Sequence, residues 1–198
     1  INNFGEIIGS VSGGCVESSV IAEAKIAIED RKIKIKDYGI SNDMAWEVGL
    51  ACGGELKILI QPLEDRDEII LNIAEKISER VPVTLIVNCQ SGKRKVVQSN
   101  SLNFKKVSFL DKENKIFYHA VTPKPRLFVI GAVHISQSLV YMAQISGYEV
   151  ILIDPREHFA NKKRFPKCKI INEWPDNALE KFNLNETSHL VTLTHDPK

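Results

Sequence analysis

Two short clusters combine cysteine with paired glycine, residue types that can bind an anion or a soft metal. The clusters are Gly13-Gly14-Cys15 and Cys52-Gly53-Gly54. Consecutive glycines let backbone amides converge on an anion, and the helix predicted to follow the first cluster adds partial positive charge. The same field favours a thiolate, which suits coordination of a soft metal or transfer of sulfur.

The acidic residue nearest the first cluster is Glu17, and we expect its carboxylate to position a polar group of the ligand. An alternative stays open at this point: Cys15 and Cys52 could be small buried hydrophobic residues, with the glycines only closing tight turns. Cys89 and Cys168 have no neighbouring glycines and are predicted to be structural.

A third group of residues matches part of a dinucleotide-binding loop. Of the pattern G-x-G-x-x-G only Gly131 is present, with Val133 and Ser136 in place of the other two glycines. Asp154 closes the next predicted strand, where a ribose-binding acid belongs, and His195 follows a later strand. A bound dinucleotide and a bare Rossmann scaffold are both open, as are a functional and a loop role for His195.

The polar segment after Asp154 carries several basic residues. Arg156 is within reach of a bound phosphate, whereas residues 162–164 are predicted to form a solvated face.

These candidates must be positioned by two domains. Prolines in residues 122–125 indicate a linker, so we predict an α+β domain over 1–122 that handles the cofactor and a Rossmann-like parallel-sheet domain over 123–198. Periodicity predicts helices over 17–29, 65–81 and 135–146 and strands ending at Gly9 and over 33–38, 55–63, 83–88, 126–131 and 149–154. The α/β chain looks incomplete at both ends, because it starts and stops beside strand-like runs.

Composition narrows the classes of partner. The formal net charge of +1 provides no general attraction to nucleic acid, and no apolar run is long enough to span a membrane. The four cysteines form no C-x-x-C pair, so neither a zinc finger nor a disulfide framework is indicated. Reduced thiols in the cytoplasm fit this pattern.

The segments GSVSGGCVES, AWEVGLACGGELKILIQPL and LFVIGAVHISQ, in this order, resemble the XdhC/CoxI family of accessory proteins for xanthine dehydrogenase and carbon monoxide dehydrogenase. The resemblance implies a chaperone that binds molybdenum cofactor (molybdopterin), holds it while a cysteine desulfurase sulfurates it, and delivers it to a molybdenum hydroxylase apo-subunit. It implies no turnover by the chaperone itself. A homodimer is left open. The family's second half starts its Rossmann loop with G-A-G, from which this chain departs at Val133.

Carried onto this chain, the resemblance makes Cys15 and Cys52 the contacts to molybdenum or to the transferred sulfur. The residues implied to supply amides are Gly13, Gly14, Gly53 and Gly54.

Two other functions compete with this one. Gly131, Asp154 and His195 would suit an NAD(P)-binding oxidoreductase or a dinucleotide-sensing protein. A thiol enzyme with Cys15 as its nucleophile would need a nearby base.

Overall fold

The computed structural model of the chain describes residues 1–38, 55–99 and 107–194. The chain divides into an N-terminal unit, Ile1–Pro123, and a C-terminal unit, Lys124–Lys198. The helices are α1 (Glu17–Asp30), α2 (Glu68–Ser78), α3 (His134–Ile145) and α4 (Pro175–Glu180). The strands are β1 (Lys34–Tyr38), β2 (Leu56–Ile60), β3 (Val83–Asn88), β4 (Arg94–Gln98), β5 (Phe109–Asp111), β6 (Ile116–Val121), β7 (Arg126–Ile130), β8 (Glu149–Ile153), β9 (Lys169–Ile171) and β10 (Ser188–Thr192). Within these three ranges, no helix is both long and apolar enough to cross a membrane.

Helix α1 packs on the two-stranded antiparallel sheet of β1 and β2. Its two buried alanines join both strands in one apolar cluster, which comprises Val16, Ala24, Ala27, Tyr38, Ile58 and Ile60. The helix predicted over 17–29 and the strand predicted over 33–38 are confirmed within a residue or two. This packing fixes the point at which the chain enters α1.

The strand predicted to end at Gly9 is wrong. Residues 6–9 form no strand, and the side-chain oxygen of Asn2 accepts a hydrogen bond from the Glu6 amide at 2.9 Å, which folds the segment into a turn. Ile8 is 97% exposed. A short apolar run becomes a strand only when another strand supplies its hydrogen bonds, and this run has no such neighbour among the described residues.

The second sheet of the N-terminal unit is antiparallel, with the order β4-β3-β6-β5. Helix α2 starts after Asp67, whose carboxylate accepts the amides of Ile69 and Ile70 at 3.1 and 3.2 Å and the Arg94 guanidinium at 2.6 Å. These contacts, the Arg94 hydrogen bond foremost, hold the pKa of Asp67 below its ordinary value. The helix is therefore shorter than the predicted 65–81, because its N-terminus is set by a capping side chain.

The C-terminal unit is a four-stranded parallel sheet with the order β10-β7-β8-β9. The two central strands are almost wholly buried, and α3 crosses over between them. Ile130 pairs with Ile153, so Gly131 and Asp154 lie side by side where these strands end. The predicted α/β class and Rossmann-like parallel sheet are confirmed.

The packing of β8 generates a prediction about stability. Ile151 is fully buried, whereas Ile135 on α3 is 61% exposed. We expect Ile151→Ala to lower the free energy of unfolding by about 2–5 kcal/mol, because it removes buried methyl groups and leaves a cavity. Ile135→Ala, the matched control, should change it by less than about 0.5 kcal/mol. Urea denaturation followed by circular dichroism measures both, and equal effects of the two substitutions would contradict the packing described.

Candidate functional site

Cys15 lies in a tight loop, residues 10–16, that leads into α1 and is called the Cys15 loop below. Its side chain is half-buried and packs against the apolar cluster of α1, β1 and β2. The backbone amides of Cys15 and Val16 both donate to the Ser12 hydroxyl oxygen at 3.0 Å. The thiol is therefore held at the N-terminal end of a helix by a serine that caps this end.

Glu17 is the centre of this loop. Its carboxylate accepts five hydrogen bonds from the loop, two from hydroxyl groups and three from amides. The donors are the hydroxyls of Ser10 and Ser12 and the amides of Val11 (3.2 Å), Ser12 (2.8 Å) and Gly14 (2.9 Å). The hydrogen bonds from Ser10 and Ser12 hold the pKa of Glu17 far below its ordinary value. The carboxylate is therefore ionised throughout the neutral range.

The amides of the two glycines are engaged within the same loop. The Gly13 amide donates to the Ser10 hydroxyl at 2.9 Å, and the Gly14 amide donates to Glu17. Sequence interpretation missed Ser10 and Ser12, although serines shortly before a helix with a glutamate in its first turn are a capping signal. The chain itself thus fills the anion-binding positions that the glycine pattern predicted for a ligand.

The outer face of both glycines is open. Gly13 and Gly14 have φ angles of 77° and 119°, which strain any residue with a side chain. A Cβ atom placed on either glycine would meet no atom of the described residues within 4 Å. A ligand can therefore approach the backbone next to Cys15 closely.

The second cluster, Cys52-Gly53-Gly54, lies outside the described residues, as does His195. Whether Cys52 meets Cys15 therefore stays a prediction. Across the described ranges, no group of three or more His, Cys, Asp or Glu side chains is arranged to hold a metal ion.

The other two cysteines have the surroundings of structural residues. Cys89 and Cys168 are both buried, and burial raises the pKa of each thiol, to about 11 for Cys168. Their thiols stay protonated at neutral pH, which makes them poor nucleophiles and poor metal ligands.

In the C-terminal unit, Asp154 ties two loops together. It is 2% exposed, and its carboxylate accepts the Ala132 amide at 2.7 Å. Arg156 donates to the same carboxylate through its amide and Nε, both at 2.9 Å, and through Nη2 at 2.7 Å. Burial alone would raise the pKa of Asp154, but the hydrogen bonds from Arg156 and Ala132 outweigh it and hold this pKa below its ordinary value.

Arg164 fastens the same loop from the other side. Its Nη1 donates to the carbonyl oxygens of Ala132 at 2.8 Å and Phe159 at 2.6 Å, and its Nε donates to Gln137 at 3.2 Å. The prediction of a solvated face over 162–164 is therefore wrong at Arg164. Basic composition cannot distinguish an exposed side chain from one that turns inward to carbonyl groups.

These contacts do not fit a dinucleotide. A ribose would need to donate to Asp154, whose carboxylate already has four donors, about as many as its lone pairs accept. Val133 carries a side chain where the second glycine would let the pyrophosphate pass. Gly131 serves another purpose, since a Cβ there would lie 3.4 Å from the backbone of Leu193. The loop is built as a scaffold.

Family models match both ends of the chain. A model described as the XdhC and CoxI family matches residues 1–39, and one described as the XdhC Rossmann domain matches residues 127–198. A Bacillus subtilis protein, whose name describes it as a probable component of xanthine dehydrogenase, is 22% identical over 211 residues, which cover 96% of this chain and 64% of that protein. The uncharacterized Escherichia coli protein YqeB is 33% identical over 67 residues, 34% of this chain and 12% of YqeB.

One solved structure shares the fold. The crystal structure of a xanthine dehydrogenase from Bacillus halodurans has a TM-score of 0.79 and 21% identity, and the match covers 96% of this chain and 62% of that one. At this identity the likeness shows the fold alone. The chain spans 64% and 62% of the lengths of the Bacillus subtilis and Bacillus halodurans proteins.

The contacts of Asp154 predict a pH-dependent loss of stability. Asp154→Asn should lower the free energy of unfolding at pH 7 by roughly 2–3 kcal/mol, because the Arg156 guanidinium and the Ala132 amide lose a charged acceptor. A lowered pKa stabilises the fold above the ordinary carboxyl pKa, and this contribution is lost as the pH falls towards the lowered value. The gap between wild type and variant, measured by urea titration, should therefore narrow from pH 7 to pH 3. Exposed Glu157 provides the control, Glu157→Gln; equal stabilities of wild type and Asp154→Asn at pH 7 would refute the assignment.

The same geometry predicts that NAD(P) does not bind. Millimolar NAD⁺ or NADP⁺ should leave the melting temperature unchanged, since only a ligand that prefers the folded state raises it. A saturable rise in melting temperature on titration would overturn this expectation and revive the dinucleotide hypothesis.

Proposed function

The chain belongs to the XdhC and CoxI family, and from this premise we propose that it binds molybdenum cofactor for a xanthine dehydrogenase-type molybdenum hydroxylase. The single observation that carries the proposal is the Cys15 loop, where a half-buried thiol stands at a helix N-terminus beside two open glycines. The name of the Bacillus subtilis relative supports a connection to xanthine dehydrogenase.

The residues of the Cys15 loop suit the chemistry of this ligand. When bound, molybdenum cofactor supplies a soft molybdenum-dithiolene centre and a phosphate group. Cys15 offers a sulfur atom, the donor that soft metal centres prefer. The open faces of Gly13 and Gly14 leave room for a large ligand beside that sulfur. Cys52, with Gly53 and Gly54, is proposed as the second contact.

We propose an accessory role without turnover. In this role Cys15 and Cys52 hold the molybdenum centre or the sulfur that a cysteine desulfurase transfers, and the hydroxylase apo-subunit then takes the cofactor. We place this exchange in the cytoplasm, where thiols remain reduced. The C-terminal unit acts as a scaffold, since its loop at Gly131 and Asp154 is closed by contacts of the chain itself.

Retention of the cofactor tests the proposal. The protein is incubated anaerobically with molybdenum cofactor and separated by gel filtration, and molybdenum and pterin are quantified in the protein peak. We expect near-stoichiometric cofactor in wild type and about a tenfold loss of affinity in Cys15→Ala and in Cys52→Ala, comparable to the loss of one strong contact. Folding of each variant is checked first by circular dichroism.

Cys89→Ala is the matched control, because it removes a buried thiol that makes no contact with the Cys15 loop. Cys89→Ala should retain the cofactor as wild type does. Absence of cofactor from folded wild type, or full retention by Cys15→Ala, would refute the proposed site.

A further inference from the structure

We propose that Glu17 is a positioning residue: it does not hold the cofactor but fixes, through Ser12, the backbone that carries Cys15. This inference rests on the proposed function for its relevance to the cofactor. It changes the role expected from sequence, in which the carboxylate of Glu17 faced a polar group of the ligand.

The first step is the capacity of the carboxylate. Two carboxylate oxygens offer about four lone-pair positions. Glu17 already accepts five donors, all from the Cys15 loop. A ligand would have to displace one of these donors before it could bind Glu17. The carboxylate is therefore committed to the loop.

The second step is the connection from Glu17 to Cys15. The Ser12 hydroxyl has one proton, which it donates to Glu17. Its lone pairs are thereby directed to the amides of Cys15 and Val16, both at 3.0 Å. A hydroxyl that donates to a charged group is a stronger acceptor for its other partners. The charge of Glu17 thus determines how firmly the Cys15 amide is held.

The third step is that charge, rather than shape, maintains the loop. Glutamine has nearly the same shape but only one acceptor oxygen, and its amide group would point N–H donors at the N–H donors of the loop. Glu17 lies outside the apolar cluster beneath α1, so its replacement leaves that packing intact. The effect of Glu17→Gln should therefore be confined to the loop.

Glu23 provides a matched control on the same helix. Its carboxylate pairs only with the side chains of Lys34 and Lys36 and has no recorded contact with the Cys15 loop. Glu23→Gln makes the same chemical change within α1, and surface ion pairs of this kind contribute little.

The experiment uses the whole chain and two measurements. Native-state hydrogen exchange reports protection of the Gly14, Cys15 and Val16 amides without any cofactor. Gel filtration with molybdenum cofactor reports affinity. We expect Glu17→Gln to lower both protection and affinity about tenfold, the loss typical of hydrogen bonds to a charged group. Glu23→Gln should change neither, and the melting temperatures of the two variants should agree.

A double-mutant cycle with Ser12→Ala identifies the connection. If Glu17 acts through Ser12, each single substitution should reduce Cys15 and Val16 protection, and the double variant should be no worse than either single variant. A merely structural contribution of each residue would instead make the effects add. Additive effects overturn the proposal, as does unchanged exchange in Glu17→Gln.

The outcomes also separate this inference from the proposed function. Lower cofactor affinity in Glu17→Gln with unchanged exchange at Cys15 would mean that Glu17 contacts the cofactor directly, which overturns the positioning role. If wild type binds no cofactor, the proposed function fails, but the exchange cycle still decides whether Glu17 positions Cys15.

Discussion

An ionised carboxylate surrounded by hydrogen-bond donors holds the Cys15 loop in shape, and the candidate site of the N-terminal unit depends on it. Glu17 draws two serine hydroxyls and three amides onto two oxygen atoms. A loop with left-handed glycines has many competing conformations, and the charge at its centre selects one of them. Cys15 gains a fixed position although its loop has little apolar packing of its own.

The C-terminal unit uses the same device for a different end. Asp154, also saturated with donors, joins the loop after β7 to the segment after β8, and Arg164 fastens that loop from the other side. In a nucleotide-binding Rossmann domain these positions are left available for ribose and pyrophosphate. Here the chain satisfies them itself, so the fold is retained while the ligand-binding chemistry of that edge is not.

Sequence patterns predicted the elements well and the loops poorly. Helical and strand periodicity located α1, β1, β7 and β8 because each buries one regular apolar face. Residues 6–9 misled because strand formation depends on a partner, which periodicity cannot report. The roles of Glu17 and Arg164 are set by backbone groups of a folded loop, and these become neighbours only after folding. Residue types predicted Cys15 as a candidate, but not which group positions it.

The central claim is that molybdenum cofactor docks against Cys15. The most direct test is alkylation of native protein by iodoacetamide, followed by mass spectrometry of each cysteine, with and without bound cofactor under anaerobic conditions. The account predicts that bound cofactor slows alkylation of Cys15 about tenfold or more, because the ligand covers a half-buried thiol. Alkylation of Cys15 at the same rate in the cofactor-loaded and free protein would contradict it.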